Sequence, residues 1–404
     1  MEIRWANAVV DAIKEVVGYQ DQAISLHEPR FDETDLAFVT DCVRSGWVSS
    51  VGAYVDRFEK MLSERMDGAH VVAVVNGTAA LHISLKLAGV EQNDEVLTPA
   101  LTFIATANAV SYCGAIPHLV DSESVSCGMD ARKLADYLQE IAVIRGAECY
   151  NSLTGRRIKA AVPMHVFGHP VDMDMLNEVC ARYHITVVED AAEALGSLYK
   201  GRSAGALSEV GALSFNGNKI ITTGGGGAII TRKPEVAKMA KHWTTMARIP
   251  HRWAYEHDVI GYNYRLPNLN AALGCSQLER LDGMLSRKRA LASRYADVFQ
   301  HHQLDVSVLM EPNHAASNYW LNSLILSEST AQFRDELLEV TNDQGIMTRP
   351  VWSLLHRMPM YSDVPRMDLT VAERLEATII NVPSSPFLGS KEMRDSIVSE
   401  HTRN

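Results

Sequence analysis

The chain has 404 residues, 47% of them hydrophobic and 22% charged, with a formal net charge of −11. That length admits two domains with sizeable cores, and the composition is ordinary for a globular protein, so long disorder is excluded. The acidic balance, with no dense Lys/Arg cluster to reverse it, argues against a nucleic-acid partner, and no apolar run approaches the roughly 18 residues needed to span a bilayer.

Residues 1–60 read as mostly helical: Leu36, Val39 and Val43 recur at spacings of three and four, and Gly46 ends that helix. Val71-Val-Ala-Val-Val is a β-branched run of strand length, Asn76-Gly-Thr is a turn, and Ala79 onward is helical up to Gly89. Apolar runs at 95–98, 116–121, 159–164 and 185–190 then alternate with helix-like stretches at 101–112, 130–143 and 172–183. Such alternation predicts an α/β fold whose large domain has a mostly parallel sheet covered by helices on both faces. After about residue 235 longer helices follow, Leu269–Leu285 and Arg287–Gln303, then a strand-like Tyr319-Trp-Leu-Asn-Ser-Leu-Ile-Leu and a helix from Phe333. The expected division is a large domain over 1–250 and a smaller C-terminal α/β domain over 251–404.

In open sheets of this kind ligands bind beyond the carboxyl ends of the strands, where three features stand. Asn76-Gly77-Thr78 would offer backbone N–H groups at a helix N-terminus, a place for an anion such as phosphate, although a plain turn has the same sequence. Asp190 closes an apolar strand; it would keep a pyridine nitrogen protonated, or simply cap a helix at Ala191. Glu189, its neighbour, should face the other side of the sheet. Lys219 lies 29 residues beyond Asp190, after Ser214-Phe-Asn-Gly-Asn and before the glycines 224–227. A lone amine among small and hydroxylic residues, downstream of a strand-terminal acid, is the pattern of a pyridoxal 5'-phosphate (PLP) Schiff-base site, and the glycines would let backbone approach a ligand or another chain.

Other constellations are weaker. The six cysteines form no C-x-x-C pair, so neither a zinc knuckle nor a disulfide framework is expected, and a reducing cytoplasm fits; Met1-Glu-Ile-Arg-Trp does not resemble a secretory signal. His165 and His169 are four apart, but Gly168 and Pro170 preclude a helical metal pair, and no metal is expected. Trp352, Met358 and Met360 read as packing residues.

Six blocks, Asn76-Gly-Thr-Ala-Ala-Leu, Thr98-Pro-Ala-Leu-Thr-Phe-Ile-Ala-Thr-Ala-Asn-Ala, Pro163-Met-His-Val-Phe-Gly, Glu189-Asp-Ala-Ala-Glu-Ala-Leu-Gly, Ser214-Phe-Asn-Gly-Asn-Lys and Gly261-Tyr-Asn-Tyr-Arg-Leu-Pro-Asn, occur in this order. Together they resemble the signature of the DegT/DnrJ/EryC1/StrS sugar aminotransferases, over roughly residues 25–390. The resemblance implies the aspartate aminotransferase-like fold (PLP fold type I), with PLP as cofactor and pyridoxamine 5'-phosphate left after the donor half-reaction. It assigns Lys219 to the Schiff base, Asp190 to the pyridine nitrogen, Phe103 to stacking on the ring, and Gly77, Thr78 and Ser214 to the phosphate. Asn263 would reach a phosphate in the neighbouring subunit of a homodimer, and His165 would lie near the cofactor. Asn216 and Glu193 complete the expected cofactor contacts, with one departure: many members carry His or Gln where this chain has Glu193, which leaves its contact open.

The reaction so implied is transfer of an amino group, with glutamate the usual donor, to C4 of a nucleotide-linked 4-keto-6-deoxy sugar. Arg30, Arg265 and Arg349 are the candidates for the nucleotide. The Phe-Asn-Gly-Asn-Lys block, the Gly-rich run after it and Leu153-Thr-Gly-Arg-Arg-Ile-Lys look most like the enzymes of legionaminic acid and related nonulosonate synthesis. Perosamine synthases are near neighbours, and 3-keto-sugar aminotransferases a further alternative. PLP-dependent dehydratases on this fold replace the lysine with His, so Lys219 favours transamination.

Overall fold

The computed structural model describes residues 2–18 and 22–388; the remainder of the expected C-terminal domain, 389–404, lies outside the described residues. Seven strands, β1 (His70–Val74), β2 (Glu95–Pro99), β3 (Ile116–Val120), β4 (Ile158–Ala161), β5 (Thr186–Asp190), β6 (Val210–Ser214) and β7 (Gly227–Thr231), form one sheet in the order β1–β7–β6–β5–β4–β2–β3. The pairs β2/β3, β2/β4, β4/β5 and β5/β6 are parallel, whereas β7 runs antiparallel to β1 and β6. Most of these strands are buried on both faces, which is why they read as continuous apolar runs and not as alternating ones. The expected strand at 159–164 ends at Ala161 and resumes only as a single bridge between Met164 and Asp190.

Local signals fix the helices. Helix α2 (Glu33–Ser45) starts at an Asp32 capping box with Asp35 and stops at Gly46, φ 75°. Its predicted apolar stripe does not face the core: Leu36 is 58% exposed and Val43 55%, close to Trp47 at 61%.

A second sheet, β8 (Val306–Val308), β9 (Asn322–Leu326), β10 (Arg349–Pro350) and β11 (Ile379–Val382), is antiparallel in the order β8–β9–β11–β10. Packing redraws the expected division at residue 250. Helix α1 (Glu2–Val17) buries Val9, Val10 and Ile13 against Leu291, Leu324 and Ile380, so it joins the C-terminal core. The helix Asn268–Glu279 instead packs on α2 and α3 (Ala53–Arg65), where the Asn268 carboxamide accepts from the N–H groups of Tyr54 and Val55. The expected break near residue 286 comes earlier, at Arg280, before the helix Leu281–His302; the Arg280 guanidinium is anchored by Asp32 and Asp35, which fixes the corner there.

Candidate active site

The carboxyl ends of β1, β2, β5 and β6 share one edge of the sheet, and a cavity of about 370 Å³ opens there. Gly77, Thr78, Phe103, Asp190, Glu193, Ser214, Asn216 and Lys219, all anticipated, line it, joined by Thr106, Met164, Trp320 and Trp352. Thus residues up to 275 positions apart in the chain form one wall-to-wall site.

Helix α4 (Gly77–Leu87) begins at Asn76, whose Oδ1 accepts from Ala79 N at 2.7 Å. The Gly77 and Thr78 N–H groups have no partner within the helix, and the dipole there favours an anion. A Cβ at position 77 would come within 2.8 Å of Ser214 Cβ, so only glycine lets this turn lie against the hydroxyl-bearing end of β6. Gly227 meets the same turn from behind: a Cβ there would be 2.5 Å from the Asn76 carbonyl. Gly227 therefore packs β7 onto the Asn76–Gly77 turn, and none of the four glycines lines the cavity.

Asp190 is 2% exposed. Thr106 Oγ1 donates to its Oδ2 at 2.8 Å and Ala192 N to its Oδ1 at 3.1 Å. Burial raises its pKa above the ordinary carboxylate value, opposed by those hydrogen bonds and by the charges of Lys219 and His165. No helix follows, so the capping alternative is replaced by an Asp190–Ala192 turn. Glu189 faces the other side, accepting from the N–H groups of Gly205 and Leu207.

His165 differs from expectation. Its Nδ1 accepts from Val171 N at 3.2 Å, which makes Nε2 the donor to Glu189 Oε1 at 2.8 Å. Its neighbour Met164 takes the place on the cavity wall, and the His165 ring lies on the far face of the sheet with Glu189.

Lys219 follows β6 through a turn closed by its own N–H on Asn216 O. Its Nζ lies 3.2 Å from Glu193 Oε1 and 3.8 Å from the centroid of the Trp320 ring. The indole N–H donates to Asn218 O at 2.7 Å, clamping that ring against the lysine loop. Glu193 Oε2 accepts from Phe167 N at 2.9 Å, and burial pushes the Glu193 pKa up to about 7, with Lys219 pulling the other way. Phe103 is 49% exposed at the wall and meets Trp352 edge-on at 6.3 Å; Trp352, expected to be packing, belongs to the site.

The three arginines do not converge on the cavity. Arg30 lies over Phe387, at 5.4 Å, in a separate cavity of about 470 Å³ shared with Arg280 and Arg287. Arg265 donates to Asn263 Oδ1 at 3.2 Å, on a segment that bridges Val74 at the end of β1, and Arg349 donates to Thr348 O at the edge of the second sheet. Asn263 is exposed and absent from this chain's cavity wall.

The residues fit the expected coenzyme: a buried acid for a ring nitrogen, an aromatic wall for a planar ring, an enclosed amine, and an anion turn with a hydroxyl opposite. The comparisons agree. Residues 29–400 match the model of the DegT/DnrJ/EryC1/StrS aminotransferase family. The chain is 36% identical over 370 residues to a GDP-perosamine synthase of Escherichia coli O157:H7, covering 92% of this chain and 95% of that one. A GDP-perosamine synthase of Caulobacter vibrioides is 35% identical, with 89% and 93% covered. Among solved structures, the aminotransferase TlmJ of Streptoalloteichus hindustanus superposes with a TM-score of 0.81 at 28% identity, covering 94% of this chain and 97% of that one.

Proposed function

Since the chain belongs to the DegT/DnrJ/EryC1/StrS aminotransferase family and is a PLP-dependent nucleotide-sugar aminotransferase of fold type I, we propose that it moves an amino group from L-glutamate to C4 of a nucleotide-linked 4-keto-6-deoxy hexose. The enclosure of the Lys219 amine between Glu193 and Trp320, in a cavity that also holds Asp190 and the Asn76–Thr78 turn, carries this reading. When bound, PLP supplies an electron sink for the carbon that bears the amino group. Lys219 holds the coenzyme and then moves a proton at its Nζ. Asp190 keeps negative charge at the ring nitrogen, Gly77, Thr78 and Ser214 hold the phosphate, and Phe103, Trp320 and Trp352 keep water from the reacting atoms.

The names of the E. coli and Caulobacter relatives favour a GDP-linked, perosamine-type sugar, and we place the product in surface-polysaccharide synthesis. The nonulosonate reading rests on three segments, and one of them, 153–159, sits at the amino edge of the sheet beside Glu95, remote from the cavity. Arg30 and Arg349 would meet the nucleotide from this protomer. Arg265 and Asn263 would serve a partner's site in a homodimer, a reading supported by the exposed apolar residues Phe31, Leu36, Trp47, Trp253 and Ile260. No described helix is long and apolar enough to cross a membrane, and all six cysteines are free and buried, which suits a reducing cytoplasm.

A panel of GDP-, UDP- and dTDP-linked 4-keto sugars with L-glutamate tests the reaction. The expected product carries an amino group and a hydrogen in place of the ketone oxygen, first with the GDP sugar. Loss of a ring hydroxyl with release of ammonia would instead identify a dehydratase.

A further inference from the structure

Asp190 and Glu193 both line the coenzyme cavity, but they are held differently. Asp190 has each oxygen engaged by a donor, Thr106 Oγ1 or Ala192 N. Glu193 has Oε2 on Phe167 N at 2.9 Å, while Oε1 has the Lys219 amine at 3.2 Å. That backbone donor is aimed by an unusual turn, in which Phe167 (φ 54°) and Gly168 (φ 95°) both take left-handed conformations. Asn318 ties the Glu193 backbone in place, Nδ2 donating to Glu193 O at 2.8 Å and to Leu195 O at 3.0 Å. The carboxyl group is thus fixed by main-chain contacts with one oxygen reserved for the amine.

We propose that Glu193 is the proton acceptor and donor for Lys219. The pair Lys219–NH3+ and Glu193–CO2− becomes Lys219–NH2 and Glu193–CO2H when one proton crosses the 3.2 Å contact, breaking an N–H bond and forming an O–H bond with no net change of charge. The other close neighbour of Nζ, the face of the Trp320 ring, attracts the ammonium form but accepts no proton. With side chains 13% and 1% exposed, the two groups lose hydration as an ion pair, a cost that the neutral pair avoids. The charges acting on Glu193 are Lys219, which favours its ionised form, and Asp190, which opposes it; His165 acts on Asp190 from the far face of the sheet. The balance leaves Glu193 ready to change protonation near neutrality, as a general acid-base group requires.

This inference rests on Lys219 being the residue that bears PLP, and Glu193→Gln separates the two claims. The amide can still accept from Phe167 N, but it turns an NH2 group toward Lys219 and cannot carry the proton. In infrared difference spectra of the holoenzyme, wild type should show a protonated-carboxyl C=O band that titrates near neutrality and is missing in E193Q. In apoprotein containing 15N-lysine, the Lys219 signal should differ between wild type and E193Q, because the amide takes no proton from the amine. The single-turnover rate with L-glutamate should fall about 100-fold and lose its pH dependence around neutrality, with PLP still recovered on Lys219. An E193Q enzyme with unchanged pH profile and an unchanged Lys219 signal overturns the proposal while leaving the coenzyme site intact. PLP recovered on no Lys219 peptide overturns the site itself. Should E193Q fail to hold PLP, the wild-type infrared band decides alone: its absence sinks the proposal.

Discussion

The two ends of the central sheet bury acids under opposite conditions. At the amino end, Glu95 accepts from His118 Nδ1 at 2.8 Å, Asn151 Nδ2 at 2.8 Å and Thr154 Oγ1 at 2.6 Å, with Arg156 Nη1 at 3.5 Å. Burial alone would raise its pKa, but those hydrogen bonds hold it below the ordinary value of 4.5. At the carboxyl end, Asp190 and Glu193 have fewer donors, and burial wins: both are raised. A saturated acid stabilises the fold, whereas an acid left short of donors is available to a ligand or a proton. The cost is accepted only where strand ends, a helix N-terminus and an enclosed amine meet.

That contrast can be broken at several points. Lys219→Ala should abolish turnover, by about 1,000-fold or more, with thermal unfolding of the apoprotein little changed, as read by steady-state kinetics and calorimetry. Asp190→Asn keeps a shape that can still accept from Ala192 N but removes the charge, and should slow the donor half-reaction about 100-fold in stopped-flow absorbance. Glu95→Ala should behave in the reverse manner, losing about 3 kcal/mol in denaturant unfolding while folded enzyme keeps its rate. Because the folded pKa of Glu95 is depressed, its contribution is present above 4.5 and is lost as the pH falls through the folded value, so the variant should also lose part of the wild type's acid sensitivity. Gly77→Ala, which drives a methyl toward Ser214, should cost about 1 to 3 kcal/mol and weaken coenzyme affinity, measured by equilibrium titration.

Much of the carboxyl end was legible in the sequence because its residues stand in short local patterns. Asn76-Gly77-Thr78 joins a strand to a helix, Asp190 ends a strand, and Lys219 follows one, so sheet topology alone brings them together. The alternation of side chains also placed Glu189 on the face away from the site. The same rule applied to Met164 and His165 would have put only one of them in the cavity, but the irregular backbone after Ala161 hides which one. Trp320 and Trp352 escaped because they arrive from the second sheet's loops, where no periodicity marks a residue as facing a distant cavity. Thr106 carried a faint signal, three residues after Phe103 and so near it on α5 (Ile104–Tyr112). The α1 helix fell in a stretch read as helical, but its destination was hidden, since the core it joins is built from residues 291 onward. Of the glycines 224–227, read as letting backbone approach a ligand or another chain, Gly227 serves the close packing of β7 on the Asn76–Gly77 turn.

The central claim is that Lys219 bears the coenzyme. Protein reconstituted with PLP, reduced with borohydride, digested and mapped by mass spectrometry should carry the reduced coenzyme on the peptide that contains Lys219, and pre-incubation with L-glutamate should abolish the label. The label on another lysine, or on none, would contradict the account.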